Sequence, residues 1–264
     1  GITVMLQSLK ISWNTGVFVV LATLGVTFGS HERCLAFHFP WDQGHDTFQP
    51  GQPGDGDEPP GEEKQSCGGD PVDLKSGNFF YVHPESIFIP GLGPSLSLRL
   101  IYHSRDRFNG PFGRGWHADL LAFAIPITDG ADNHVVIRQG VGRRKKFSLT
   151  TVGTFQSPPG VFQNLVANAD GTLVLTDKDG TCREFSSRGL LTEIRDRHGN
   201  AITYLYDSTG LISSVTDASG RSLDFVKGPN GKIAKALDPA GRAFSYQYDD
   251  RGRLVSVMNQ LGGT

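Results

Sequence analysis

Apolar and polar residues alternate over short stretches of the chain, which is the pattern of half-buried β-strands. The clearest stretch runs from residue 95 to residue 103. One face of it carries Leu96, Leu98, Leu100 and Tyr102, and the other carries Ser95, Ser97 and Arg99. Because side chains alternate across a strand, this spacing predicts a strand with one buried face. Further strands are predicted at 117–127, 134–139 and 144–149, with a hairpin turn at Gly140–Gly142 between the last two.

The last hundred residues contain an internal repeat of 21 residues. Its columns are marked by Gly189, Gly210, Gly231 and Gly252, by Asp196, Asp217 and Asp238 seven positions later, and by tyrosines ahead of two of the glycines, namely Tyr204, Tyr206, Tyr246 and Tyr248. Apolar residues stand two and five positions after each glycine. A fixed period of this length is the signature of stacked supersecondary units.

Each unit has the chemistry of a β-hairpin. An Asp-x-x-Gly step predicts a tight turn, because the carboxylate accepts hydrogen bonds from its own backbone and glycine adopts the left-handed conformation. The apolar positions at +2 and +5 fall on opposite faces of an ideal strand, so either a β-bulge intervenes or both faces are partly covered. The tyrosines six and four positions before a glycine share a face, and we expect them to stack on those of the neighbouring unit.

Composition supports an all-β fold: an antiparallel β module followed by stacked hairpins. The 264 residues include 34 glycines and 17 phenylalanines but only two methionines. Charge is nearly balanced, with 25 basic and 27 acidic side chains, so no bulk attraction to nucleic acid or to an anionic membrane is expected.

The first 68 residues have a different character. A short cationic start, an apolar run at 17–28 and small residues near Ala36 predict a secretory signal peptide over 1–36, with a retained membrane anchor as the alternative. Residues 37–68 are rich in proline, glycine and acidic residues, which predicts a disordered linker. An exported protein, secreted or held at the bacterial cell surface, is therefore expected. Cys67 and Cys182 form a disulfide in an oxidising compartment or remain free thiols.

Candidate chemistry is sparse. His83, His103, His117 and His134 lie in the first module near Asp106 and Asp119, and an acid–base or metal site would require them to converge. A basic run, 143–146, follows the predicted hairpin turn but lacks the spacing of a phosphate-binding loop. The repeated aspartates lack the dense spacing of a calcium loop. Sequence motifs of nucleophilic or zinc enzymes are missing, so we predict no catalytic residue, no cofactor and no metal.

Several segments resemble the YD-repeat, or Rhs, family. Residues 204–220, Tyr-Leu-Tyr-Asp-Ser-Thr-Gly-Leu-Ile-Ser-Ser-Val-Thr-Asp-Ala-Ser-Gly, look like a complete YD repeat, and residues 244–254 are a second match. Upstream, 69–79, 102–106 and 110–116 resemble the module that precedes the repeats in many family members. The resemblance divides the chain into a β module at 69–165 and YD repeats at 166–264.

The resemblance implies a β-sheet strip that winds into a shell around a C-terminal toxic domain. We therefore expect a non-enzymatic structural part of a secreted or surface protein, a scaffold or shell segment for a polymorphic toxin. Its partners would be further YD repeats or a toxin domain that this chain does not contain. The alternative is a surface adhesion or carbohydrate-binding repeat protein that contacts glycans or proteins on another cell. An enzyme is the third hypothesis.

Overall fold

The computed structural model describes residues 9–14, 17–22, 72–73, 77–129, 132–151 and 153–259. Every regular element in these ranges is a β-strand, which confirms the all-β prediction, and the same ranges hold no helix able to span a bilayer. The strands are β1 Leu9–Asn14, β2 Val17–Ala22, β3 Val72–Asp73, β4 Asn78–Ile89, β5 Leu96–His103, β6 Asn109–Gly110, β7 Gly113–Arg114, β8 Trp116–Ala118, β9 Phe123–Asp129, β10 Asp132–Arg138, β11 Arg144–Thr151, β12 Thr154–Gln156, β13 Gln163–Ala167, β14 Leu173–Asp177, β15 Cys182–Phe185, β16 Leu191–Arg195, β17 Ala201–Tyr206, β18 Ile212–Thr216, β19 Ser222–Lys227, β20 Ile233–Leu237, β21 Ala243–Tyr248 and β22 Leu254–Met258.

One long sheet dominates the fold. Strands β9 to β22 form a 14-stranded antiparallel sheet in which neighbours in sequence are also neighbours in space. A smaller sheet has the order β3-β4-β5-β8, and β6 pairs with β7. The remaining pair, β1 with β2, lies in the segment predicted to be a signal peptide or anchor. The rest of that segment and the linker at 37–68 lie outside the described residues, so both stay predictions.

A single turn type closes the hairpins of the repeat region. In one example, Gly199 N donates to Asp196 O at 3.1 Å and Asp196 N donates to Asn200 O at 3.0 Å. The same pair of backbone hydrogen bonds closes the turns that begin at residues 168, 177, 186, 196, 207, 217, 228, 238 and 249. Each has a glycine with positive φ at its fourth position, the usual three-residue hairpin loop. The first two turns lie upstream of the 21-residue columns, so the hairpin pattern begins before the sequence repeat becomes visible.

A β-bulge in each unit resolves the spacing of the apolar positions. Leu205 pairs with Ser214 and Tyr206 pairs with Ile212, so Ser213 has no partner of its own. The same register shift occurs once in each of the other three hairpins. The extra residue rotates the strand by one position, so Ile212 and Val215 are both buried on the same face. The bulge alternative is confirmed, and it explains why the repeat length is odd.

The strands of the first module are confirmed except for one. The predicted strand at 117–127 is wrong as a single element, because β8 and β9 are separated by a turn in which Leu121 N donates to Ala118 O at 2.9 Å. Asp119 fixes this turn by accepting hydrogen bonds from Ser97 Oγ at 2.6 Å and Arg99 N at 2.8 Å. The alternation predicted for 95–103 is confirmed, since the three leucines are buried and Arg99 is exposed.

The buried face of the long sheet is covered by the first module. Tyr204 donates its hydroxyl to Leu120 O at 3.0 Å, Ile233 N donates to Pro111 O at 2.9 Å, and the ring centroids of Phe112 and Tyr246 are 5.1 Å apart. The apolar residues of both parts form one continuous core. The repeats therefore bury their apolar face against the module as well as against one another, which the repeat pattern alone did not predict.

Candidate functional site

The predicted turn aspartates occupy the positions that the sequence assigned to them. Asp217 Oδ1 accepts from Ser219 N at 2.8 Å and Arg221 N at 3.0 Å, and its Oδ2 accepts from Arg221 Nε at 2.8 Å. Asp196 and Asp238 accept the same two backbone hydrogen bonds. Burial would raise the pKa of the Asp217 carboxyl, but these donors outweigh burial and lower it. Turn formation therefore accounts for the repeated aspartates.

The repeat tyrosines are inward-facing anchors. Tyr204 and Tyr246 are buried, and Tyr206 and Tyr248 are half-buried against the core. Their hydroxyls also have partners: Tyr206 donates to Leu191 O at 2.7 Å and Tyr248 donates to Ile233 O at 2.8 Å. Each of these two bonds reaches back 15 residues, to the +2 residue of the preceding unit. Buried tyrosines of this kind cannot act as stacking platforms for a glycan in solvent.

The predicted stacking of tyrosines on those of neighbouring units is wrong. In the described residues, the ring pair of a repeat tyrosine is Tyr246 with Phe112 of the first module. The reason is the strand order, because successive units are two strands apart, about 9.6 Å. An aliphatic side chain lies between them, as where Tyr204 pairs with Val215 on the intervening strand. Hydroxyl-to-backbone bonds, rather than ring stacking, connect consecutive units.

Loss of one inter-unit bond should have a modest and measurable cost. We expect Tyr206→Phe to lower the free energy of unfolding by about 1 kcal/mol, because Leu191 O loses its donor in a half-buried site. Urea denaturation followed by circular dichroism measures the change. Tyr102→Phe is the matched control, since Tyr102 lies in the first module and makes no inter-unit bond. A Tyr206→Phe protein as stable as the wild type would contradict the role of this hydroxyl.

Two of the four module histidines converge on a buried charge cluster. Asp106 lies at its centre, with Arg138 Nη1 at 2.6 Å, Arg144 Nη2 at 3.1 Å and His117 Nε2 at 3.1 Å from its carboxylate oxygens. The His117 contact is at ion-pair distance but is not aligned as a hydrogen bond. The His103 ring centroid is 5.3 Å from that of His117, and His103 Nε2 contacts Val141 O at 3.0 Å.

The other candidates stay outside this cluster. His83 lies on β4 and His134 on β10, and Asp119 caps the turn after β8. Phe108 completes the cluster, because its ring stacks on His117 and receives the Arg138 guanidinium at 4.3 Å from its centroid. Sequence reasoning missed both arginines, since Arg138 and Arg144 flank the Gly140–Gly142 turn rather than a recognisable motif.

The electrostatics of the cluster favour a fixed ion network. Burial alone would raise the pKa of Asp106, but the neighbouring His117 and Arg138 hold it well below its usual range. Burial lowers the pKa of His117 to about 4, although Asp106 opposes the shift. Burial also lowers the pKa of His103, although the hydrogen bond to the Val141 carbonyl opposes this shift. At neutral pH the cluster therefore holds a carboxylate, two guanidinium groups and neutral imidazoles.

The cluster has little room for a substrate. The cavity beside it has a volume of about 10 Å³, space for a single water, and its lining includes His117, Arg138 and the rings of Phe108 and Phe112. Within the described ranges, no group of three histidine, cysteine or acidic side chains is placed to hold a metal ion. What the arrangement can do is hold the 106–108 loop, β8 and the β10–β11 hairpin together.

Acid should destabilise the protein through His117 before it protonates Asp106. Since burial keeps the folded-state pKa of His117 near 4, below its ordinary 6.5, the unfolded chain binds the proton first. Stability is then lost as pH falls from 6.5 to 4, by about 3 kcal/mol in full. Asp106 acts in the same direction, because its pKa is also lower in the folded state, but only below its ordinary pKa of about 3.8. Urea midpoints at pH 7, 5.5 and 4 should fall less steeply for His117→Gln than for the wild type; equal slopes would contradict this assignment.

The basic run is also used internally. Arg144 turns inward to Asp106, and Lys145 Nζ donates to Gln163 Oε1 at 2.9 Å. Burial lowers the pKa of Lys145. Cys182 is a half-buried free thiol, and Cys67 lies outside the described residues, so their pairing stays untested.

A buried lysine joins the module to the third repeat unit. Lys232 is only 5% exposed, and its Nζ donates to Asn109 Oδ1 at 2.7 Å and to Gly110 O at 3.0 Å. Sequence reasoning missed it. A signal did exist, since the position directly after the repeat glycine is leucine in the first two units and lysine in the third. The contact places the β6–β7 hairpin against the turn at Gly231.

Consecutive hairpins with a 21-residue period and a shared core define the class: a β-hairpin repeat protein with an N-terminal capping module. The RHS Repeat model matches residues 185–222 and 229–263, and a domain of unknown function (DUF6531) matches residues 69–147. The chain belongs to the YD-repeat, or Rhs-repeat, family.

Curated relatives cover part of the chain. The tRNA nuclease WapA of Bacillus subtilis (strain 168) and the tRNA3(Ser)-specific nuclease WapA of Bacillus spizizenii are each 33% identical over 143 residues. The match covers 52% of this chain and 6% of each relative. It therefore relates this chain to a small part of much longer proteins.

Proposed function

We propose that this chain is a non-catalytic structural segment of an Rhs protein and acts as a scaffold or shell wall for a toxin domain. The observation that carries the proposal is the extended 14-stranded sheet itself, which shares one core with the smaller sheet of the first module. Such a sheet grows by adding hairpins at its edge, the geometry that a wall needs. The relatives named as nucleases support the link to a toxic domain elsewhere in the polypeptide.

The distribution of polar side chains also supports a scaffold. Around Asp106, the side chains of His117, Arg138 and Arg144 are largely buried rather than presented in a cleft. A general acid or base must reach the proton that it transfers, directly or through one water. A largely buried cluster, with the Phe108 ring against His117 and Arg138, is suited to a structural role instead.

The scaffold role is tested by assaying the purified chain for nuclease activity. We expect incubation with total tRNA and Mg²⁺ to give no cleavage above a heat-denatured sample. Cleavage that is lost in His103→Gln, in a protein with an unchanged circular dichroism spectrum, would overturn the proposal. His103 is suited to this test because it is the less buried histidine of the cluster.

We further propose export to the medium or the cell envelope. The apolar N-terminal segment supports this, as a signal peptide or an anchor. Fractionation of bacteria that express the whole chain should place it outside the cytoplasm, and deletion of residues 1–36 should return it there. Equal distribution of both proteins would contradict export.

A further inference from the structure

An aromatic patch with two exposed and two half-buried rings lies at one end of the first module. Its members are Phe79, Tyr81, Tyr102 and Trp116. The ring centroids of Tyr102 and Trp116 are 5.1 Å apart, those of Tyr81 and Trp116 are 6.2 Å apart, and Phe79 lies 6.4 Å from both tyrosines. Phe79 is 37% exposed and Tyr81 38%. Large aromatic surfaces of this kind mark interaction sites.

The patch continues the face that the repeats already cover. Tyr102 has the same orientation on β5 as Leu96, Leu98 and Leu100, because alternate residues of a strand share a face. At the other end of β5, Leu96 lines a cavity of about 130 Å³ together with Ile202, Tyr204, Val215 and Leu223 of the repeats. One end of this face is therefore under the sheet, and the aromatic end is open.

The second, third and fourth repeat units each contact a different part of the module. Leu120 meets Tyr204 in the second unit, and Pro111 meets Ile233 in the third. In the fourth unit, a Cβ built on Gly113 would lie 3.0 Å from Gly252 O. Two residues further on, a Cβ built on Gly115 would lie 2.8 Å from the Tyr102 ring. Along the module, the aromatic patch thus follows directly after the residues that contact the fourth repeat unit.

Simple lengths agree with this placement. The eight residues of β5 span about 23 Å, and the five strand spacings from β17 to β22 span about 24 Å. Strand β5 begins at Leu96, close to Tyr204 on β17. If it runs across the repeat strands, its other end, at Tyr102, lies near the edge strand β22. Beyond β22, the long sheet has no further strand among the described residues, so an edge of backbone donors and acceptors lies beside the patch.

We propose that the aromatic patch is the docking surface for one further hairpin of the 21-residue repeat, hydrogen-bonded to the edge of β22. The inference rests on the proposed scaffold role only in requiring that more repeats be added; it needs no toxin. The hairpin would bring its −6 and −4 aromatics and its +2 and +5 aliphatics onto Phe79, Tyr81 and Trp116. The −6 tyrosines Tyr246 and Tyr204 already contact Phe112 and Leu120 in this way.

The test extends the full chain by one hairpin. Residues 202–220 are appended after Thr264, which keeps the 21-residue phase, and a scrambled 19-residue extension is the control. The urea midpoint should rise with the native extension only. In Tyr81→Ser this gain should fall by at least half, whereas Phe88→Ser should keep it, because Phe88 is 65% exposed and pairs with Ser97 on the polar face of β5.

A second measurement does not depend on the variants of the patch. In a chain with Trp13→Phe and Trp41→Phe, acrylamide quenching reports Trp116 alone. The native extension should lower the quenching constant at least two-fold relative to the scrambled one. An unchanged quenching constant, or a midpoint gain equal in the wild type and Tyr81→Ser, would overturn the docking proposal. Neither result bears on nuclease activity, so this failure is distinct from a failure of the proposed function.

Discussion

Asp106→Asn should destabilise the protein by about 4 kcal/mol. The substitution keeps the shape of the side chain and removes its charge, which leaves the Arg138 and Arg144 guanidinium groups side by side with only 7% and 18% of their side chains exposed. Two buried cations without a counter-ion repel each other and have lost the solvation that water gave them. The loss therefore exceeds that of an ordinary hydrogen bond, about 1 kcal/mol.

Urea denaturation of Asp106→Asn and the wild type at pH 7 measures this cost. Glu184→Gln is the control, because Glu184 pairs with Arg195 at the surface, where both side chains are more than a third exposed. Surface pairs contribute about 0–1 kcal/mol, so the control should hardly change. If Asp106→Asn cost no more than Glu184→Gln, the cluster would not be holding the module together.

Gly189→Ala should cost about 4 kcal/mol, the sum of backbone strain and overpacking, well above the same change at Gly220. Both glycines have positive φ, +74° and +78°, where an L-residue costs about 1–2 kcal/mol. They differ in their surroundings: a Cβ on Gly189 would lie 2.0 Å from Ala124 O, whereas a Cβ on Gly220 meets nothing within 4 Å. The alanine at 189 must therefore displace the backbone of β9, and with it the hydrogen bond from Ala124 N to Gly189 O.

The comparison of the two alanine variants tests whether β9 lies against the first repeat turn. Chemical denaturation of both proteins under the same conditions gives the difference directly. Gly220→Ala should lose about 1–2 kcal/mol and remain folded. Equal losses for the two variants would show that Gly189 is needed only for its turn.

The repeat region was largely predictable because its signals are local. The aspartate and glycine of each turn indicate the backbone conformation of four consecutive residues. The same indication recurs every 21 residues, at Asp196, Asp217 and Asp238. The bulge was one of two alternatives that a local fact left open, namely that the +2 and +5 residues are both apolar. Such patterns survive without knowledge of the tertiary structure.

The packing of the module on the repeats was not predictable in the same way. Tyr204 with Leu120 and Lys232 with Asn109 are each separated by more than 80 residues in sequence. Nothing in the chemistry of a tyrosine or a lysine specifies so distant a partner. The Asp106 cluster was foreseen only as a possible convergence of histidines, because its charge partners Arg138 and Arg144 resemble solvated residues beside a turn.

Native-state hydrogen exchange of the whole chain tests the central claim, that module and repeats form one folded unit. Amides of β5 and β8 in the module and of β17 to β20 in the repeats should open with the same free energy, because their side chains share one core. Repeats that exchange fully while the module stays protected, or the reverse, would contradict it.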